Sequence, residues 1–247
     1  MTVSIAPATL KAIAARVPQV AIDGPSGSGK STIAKALAAL LGGDYVDTGA
    51  AYRAMTWWMV NSGVDIHDEH AVAEAADSPI IDMGLDPSAP KVWVDSRDVS
   101  GDIRSDEITA AVSSVARVPQ VRRRLVDLQR SYAMVARSNG RACVMEGRDI
   151  GTVVLPTADL KVWLTADLAA RAQRRAAQNG EVAEATADAS HVAQSLARRD
   201  QVDSTREASP AQQAADALVV DATDIGIDDV VRICVLALCD SLDVSYA

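Results

Sequence analysis

Gln19-Val20-Ala21-Ile22-Asp23 runs directly into Gly24-Pro25-Ser26-Gly27-Ser28-Gly29-Lys30-Ser31. The first five residues carry the apolar pattern of a short buried strand, which Gly24-Pro25 stops. The next eight satisfy GxxxxGK[ST] at every fixed position. From Ser31 a helical period follows, with Ile33, Leu37, Leu40 and Leu41 on one side and Gly42-Gly43 closing it. Glycines let backbone N–H groups turn inward around anionic oxygens, and the N-terminus of the following helix adds partial positive charge at the same point. Gly24, Pro25, Ser26, Gly27, Ser28, Gly29, Lys30, Ser31 and Thr32 are therefore expected to cradle a nucleoside triphosphate. Lys30 would reach its β- and γ-phosphates, and the Ser31 hydroxyl would ligate Mg2+.

The rest of the chain alternates in the same way. Tyr45-Val46, Cys143-Val144-Met145, Leu160 to Leu164 and Ala217 to Asp221 read as strands. Gly49 to Val60, Arg104 to Ala116, the stretch beginning at Pro119 and Asp228 to Leu238 read as helices. Such alternation predicts an α/β fold with a mainly parallel sheet. The segment Ile80 to Asp102 breaks it, with short strands at Ile80–Met83 and Lys91–Asp95 around Pro87 and Pro90, and is expected to be a small inserted subdomain. Met1 to Pro18 reads as a tail without chemistry, either a frayed turn or a dispensable extension.

The 247 residues carry a net charge of −9, which argues against a coat for nucleic acid or anionic membrane. The basic side is lopsided, with 19 Arg against 5 Lys, and 15 of those Arg fall between Arg104 and Arg206. Arg forks suit bidentate capture of phosphate, although an Arg- and Ala-rich codon preference explains the count equally well. Cys143, Cys234 and Cys239 form no CxxC pair and read as buried thiols of a reducing compartment. No run of 18 apolar residues and no secretory signal pattern is present, so the expected location is the cytoplasm.

A GTP switch would carry an NKxD run, and an ATPase an apolar strand ending in Asp-Glu; neither occurs. Instead, Arg and acidic residues cluster where strands end, the place where ligands bind in a parallel sheet. Arg148 follows a strand and a glycine; its alternative is a surface ion pair with Asp149. Arg199, Asp203 and Arg206 are spaced i, i+4, i+7, so one helix face would show two cations around a carboxylate, or else a solvated salt-bridge ladder. In Arg122-Arg123-Arg124, Arg122 and Arg124 flank the Val118–Val121–Leu125 stripe while Arg123 points to solvent. His67 and His70 read as surface chemistry rather than metal ligands, and Trp57 and Trp58 as packing groups. Asp47 suits either a helix cap or Mg2+ orientation, and Asp23 is open in the same way.

Four further runs stand out: Asp47-Thr48-Gly49-Ala50-Ala51-Tyr52-Arg53, Ser113 with Arg122, Glu146-Gly147-Arg148-Asp149-Ile150-Gly151-Thr152-Val153-Val154, and Arg198-Arg199-Asp200-Gln201-Val202-Asp203-Ser204-Thr205-Arg206. Together with the phosphate loop they resemble the bacterial cytidylate kinase family over about residues 19 to 240. That resemblance implies the P-loop nucleoside monophosphate kinase fold, a five-stranded parallel core sheet flanked by helices. It implies one kinase domain over 19–247, with an inserted monophosphate-binding subdomain at about 63–116 and a lid at about 168–198. The implied reaction moves a phosphoryl group from Mg·ATP to CMP or dCMP.

By matching position, Arg53 and Arg148 would hold the acceptor phosphate. Thr48, Arg122, Asp149 and Arg206 would surround the cytosine, and Ser113, Arg199 and Asp203 would meet the pentose. Tyr52 and Gly147 belong to the same substrate-binding runs. Arg171, Arg174 and Arg175 fall where the lid supplies cations, so Lys30, Arg148, Arg174 and Arg175 are the expected catalytic cations. Glu146 stands where the family commonly carries Asp, Thr48 where Ser is common, and the Ala-rich stretch 176–190 matches poorly. The implied partners are the free nucleotides ATP, CMP and dCMP, with no nucleic-acid polymer, no membrane and a monomeric chain. The alternatives are a kinase of the same fold acting on UMP, AMP or a small hydroxy acid, and a nucleotide-binding module without catalysis.

Overall fold

Alternation along the strands decides which way each side chain of the main sheet faces. In β1 (Gln19–Asp23), Val20 and Ile22 join one apolar cluster while Ala21 joins the other. In β2 (Asp44–Asp47), Tyr45 and Val46 divide in the same way, and in β6 (Cys143–Glu146) so do Val144 and Met145. With β7 (Leu160–Thr165) and β8 (Leu218–Asp221) these strands form one sheet in the order β2-β6-β1-β7-β8, and every pairing is parallel. A parallel sheet needs cover on both faces. The coordinates are a computed structural model that describes residues 5–179 and 187–246.

One face is covered by α1 (Pro7–Ala14), α2 (Lys30–Leu40) and α9 (Ile227–Ser241), the other by α3 (Thr48–Asn61), α5 (Asp106–Ala116) and α6 (Pro119–Ser138). Between α3 and α5 lie α4 (Glu69–Ala75) and a separate antiparallel sheet of β3 (Ile81–Met83), β4 (Val92–Val94) and β5 (Arg97–Asp98). Two further helices, α7 (Leu168–Asn179) and α8 (Ala187–Thr205), pack on each other between β7 and β8. The segment expected as a lid, 168–198, includes residues 180–186, which lie outside the described residues.

The expected α/β class, parallel sheet and core strands are all present. The tail reading needs correction: Pro7 starts α1, and Ile13 is fully buried against the cluster that holds α2 and α9. The helix expected from Arg104 begins at Asp106, because Asp102–Arg104 form a 3-10 turn and the Ser105 hydroxyl accepts the Ile108 N–H. Cys143, Cys234 and Cys239 are buried and free, as expected, and no described helix is long and apolar enough to cross a membrane.

Candidate active site

Parallel pairing brings the carboxyl ends of β1, β2 and β6 together, with Ile22 opposite Glu146 and Glu146 opposite Asp47. At that edge opens a cavity of about 670 Å3. Ser26 through Thr32 form one side of it. Lys30 is buried, and its Nζ donates to the Pro25 carbonyl at 2.7 Å. Burial, aided by Arg148, lowers the Lys30 ammonium to about 7, against the pull of Glu146, Asp23 and Asp200.

Beside the loop stands a carboxylate pair. Glu146 accepts from the Ser31 hydroxyl and, at 2.9 Å, from the Tyr45 hydroxyl. Asp47 caps α3 by accepting the Ala50 N–H at 3.0 Å. Burial, then the neighbouring Glu146, raises the Asp47 carboxyl to about 6. Asp23 braces the backbone instead. It accepts the N–H groups of Ile150 and Gly151 at 2.8 and 2.7 Å and so shapes the turn after β6. Burial holds its carboxyl at about 6 despite those bonds.

That turn delivers Arg148 and Asp149 to the opposite wall. Asp149 accepts from Arg122 of α6, and Arg206 stands 3.9 Å from its other oxygen. Arg148 donates to Asp203 at 3.1 Å, and Arg206 reaches the same carboxylate at 3.4 Å. Arg122 lies over the Tyr52 ring at 5.2 Å. Thr48 donates to the Glu146 carbonyl at 2.7 Å, which leaves its oxygen lone pairs for a ligand. Arg53 is anchored by the Thr109 hydroxyl at 2.8 Å, and burial beside Arg199 lowers its guanidinium to about 10. Arg199 and Arg206 are lowered too, first by burial.

The chain also matches known proteins. The family profile described as cytidylate kinase matches residues 20–239. The chain belongs to the cytidylate kinase family. It is 52% identical over 219 residues to a cytidylate kinase of Streptomyces avermitilis, covering 89% of this chain and 91% of that one. A cytidylate kinase of Rhodococcus opacus is 49% identical over 213 residues, 86% of this chain and 90% of that one.

Of the residues expected from the cytidylate kinase resemblance, Thr48, Tyr52, Arg53, Ser113, Arg122, Gly147, Arg148, Asp149, Arg174, Arg175, Arg199, Asp203 and Arg206 all line this one cavity. Gly24 and Pro25 do not. A Cβ on Gly24 would collide with the Leu164 carbonyl group, so Gly24 serves the approach of the chain to β7. Arg171 is also displaced from its expected place. Its guanidinium turns inward to the Ala166 and Ser26 carbonyls and to Asp200, away from the cavity. Arg174 donates to the Ala222 and Thr223 carbonyls, tying α7 to the loop after β8.

The i, i+4, i+7 reading also changes, because α8 ends at Thr205 and the two cations around Asp203 are Arg148 and Arg206. Arg148 accordingly does not pair with Asp149. Several lining residues were missed, two groups of them on opposite sides of the cavity. Arg104, the last residue of the 3-10 turn before α5, faces Asp47 at 3.8 Å; the helical period read from Arg104 onward did not mark it as a site residue. Ala222, Ile225, Gly226, Ile227 and Val230 close the far side of the phosphate loop. Nothing but position after a strand could have singled them out. His67 and His70 are exposed, and Asp68 caps α4 by accepting the His70 N–H. No metal-binding cluster of three ligands occurs among the described residues.

Proposed function

We propose that this chain transfers the γ-phosphoryl group of ATP to the phosphate of CMP or dCMP, giving ADP and CDP or dCDP. The observation that carries the reading is the single cavity shared by the phosphate loop and by the Arg122–Asp149 and Arg148–Asp203 pairs. Bringing two phosphate groups together concentrates negative charge, so this chemistry needs cations from several directions and little covalent help. Lys30 binds the β- and γ-phosphates from the loop. Arg53 and Arg148 hold the acceptor phosphate, while Arg174 and Arg175 face the transferring group from α7.

Mg2+ fits beside Ser31. Half-buried Asp47 stands beside buried Glu146; desolvation first and the Glu146 charge second raise Asp47, and a divalent cation offsets both. Ser31 would ligate it, with Asp47 and Glu146 orienting its waters; bound there, it neutralises charge on the donor phosphates.

Base choice falls to Arg122 and Asp149. A carboxylate only accepts, so Asp149 suits the N4 amino group of cytosine and repels uracil O4. Arg122 only donates, so it suits cytosine N3 or O2. Arg122 Nε, Arg199 Nε and one Arg206 nitrogen are buried without a hydrogen-bond partner among the described residues, which favours an acceptor-rich ligand at this wall. Ser113, Arg199 and Asp203 meet the pentose.

The full reading has one kinase domain at 19–247, the acceptor subdomain at about 63–116 and a lid at about 168–198. On this reading the chain acts as a cytoplasmic monomer on free nucleotides; the net charge of −9 disfavours a polyanionic partner. A coupled ATP-consumption assay across CMP, dCMP, UMP, AMP and GMP tests it. Turnover greatest with CMP and dCMP is expected; preference for UMP or AMP assigns another acceptor, and no acceptor-dependent turnover leaves a binding module.

A further inference from the structure

Ser26 of the phosphate loop is held at both of its peptide groups by residues from outside the loop. Its N–H donates to Asp200 Oδ1 at 2.9 Å, and its carbonyl accepts from Arg171 Nη1 at 3.0 Å. Arg171 also donates to Asp200 and, through Nε, to the Ala166 carbonyl at 3.0 Å, so the bracket is anchored just beyond β7. Lys30 grips the same stretch from the other side. Its Nζ donates to the Pro25 carbonyl, which belongs to the peptide whose N–H Asp200 holds. A phosphate group that draws Lys30 toward itself takes away one of those two grips, and the Asp200 bond stays. Charge-assisted bonds of this kind are roughly twice as strong as neutral ones.

Asp200 stands on α8 between Arg199, which lines the cavity, and Asp203, which binds Arg148 and Arg206. A single helix turn therefore carries both the acceptor wall and the grip on the donor loop. Neither Asp200 nor Arg171 lines the cavity, so both act through Ser26.

We infer that Asp200 is a positioning residue that, with Arg171, couples acceptor binding at α8 to the shape of the phosphate loop. The inference rests on the phosphoryl-transfer reading of the cavity. An acceptor that engages Arg148, Arg199 and Asp203 orders the turn bearing Asp200, and Asp200 passes that order to Ser26. Linkage makes the effect reciprocal: the acceptor tightens donor binding by the factor by which the donor tightens acceptor binding.

The test is a calorimetric titration of β,γ-imido-ATP with Mg2+, with and without saturating CMP, in wild type, Asp200→Ala and Asp200→Asn. In wild type CMP is expected to tighten the analogue about 5-fold or more, the low end of ordinary coupling. In Asp200→Ala that factor falls to about one, while CMP alone binds as in wild type. Asp200→Asn keeps an oxygen for the Ser26 N–H but loses the charge facing Arg171, and its factor drops about twofold or more. This second variant carries the test if the first does not fold. Unchanged coupling in the variants, no coupling in wild type, or equal weakening of CMP and analogue overturns the inference, as does failure of both variants to fold. Wild-type turnover with CMP is measured alongside. Turnover with unchanged coupling defeats this inference alone, whereas no turnover with any nucleotide defeats the kinase reading and this inference with it.

Discussion

Arg122 and Asp149 meet as an ion pair in the wall of the cavity, their side chains only 4% and 6% exposed although α6 and the turn after β6 supply them separately. Charges so far removed from water persist only when paired. Asp149→Asn should narrow the CMP-over-UMP ratio of kcat/KM, chiefly by lowering efficiency with CMP, because an amide can donate to uracil O4. With two mispairings of about 1–3 kcal/mol each, the expected wild-type ratio is roughly 10²–10⁴. The variant also leaves Arg122 and Arg206 without their shared anion, so it should lose about 3 kcal/mol of stability. Kinetics with both nucleotides and a urea melt check the two effects, and an unchanged ratio would move base reading to Thr48 or Arg206.

Lys30 titrates near 7 in the folded chain, against 10.5 for an ordinary lysine. Between those values the unfolded chain binds a proton that the folded chain lacks, so this group's contribution to stability rises with pH across the window. Polyphosphate beside the ammonium favours its charged form, so donor binding should take up about one proton at pH 8, and affinity should fall as pH rises above about 7. Calorimetry in buffers of different ionisation enthalpy measures the uptake. Lys30→Ala should abolish it and lower kcat by about 100-fold or more. Zero uptake in wild type would contradict the prediction.

Gly24 touches β7 rather than the cavity. Gly24→Ala would drive a methyl group into the Leu164 carbonyl, at a φ of +148° that side chains rarely adopt. Overpacking and backbone strain together should cost about 2–4 kcal/mol. Thermal melting decides it: a melting temperature close to wild type with weakened ATP binding would return Gly24 to the ligand.

Ile13 ties α1 to the core beneath α2 and α9. Ile13→Ala should cost about 2–4 kcal/mol, the range for emptying a buried aliphatic site. Urea denaturation measures the loss, and a midpoint unchanged from wild type would restore the view of this segment as dispensable.

Much of the fold was legible because its signals are local. Apolar runs such as Val20 to Ile22 and Cys143 to Met145, set between glycines and helical periods, mark buried parallel strands wherever they occur. The α1 helix was not legible, because eight residues with a mixed pattern carry too weak a period, and only packing of Ile13 on its neighbours orders them. The two-residue strand β5 exists through its pairing with β4, which no window of sequence displays.

The site divides along the same line. Glycine's freedom at φ > 0, the lysine and the hydroxyl within eight residues define a phosphate loop by chemistry alone, and the runs after β2 and β6 marked the side proposed to bind the acceptor. Which arginine meets which carboxylate was settled by tertiary structure. Asp149 chose Arg122 over its neighbour Arg148, Asp203 took Arg148 from 55 residues away, and Arg171 turned from the cavity to the Ser26 peptide. Ion pairing depends on distance and burial, and both arise only when strands and helices far apart in the chain pack together. Sequence therefore determined the kind of chemistry and the strand ends that bear it, while packing decided which charges face the ligand and which brace the loop.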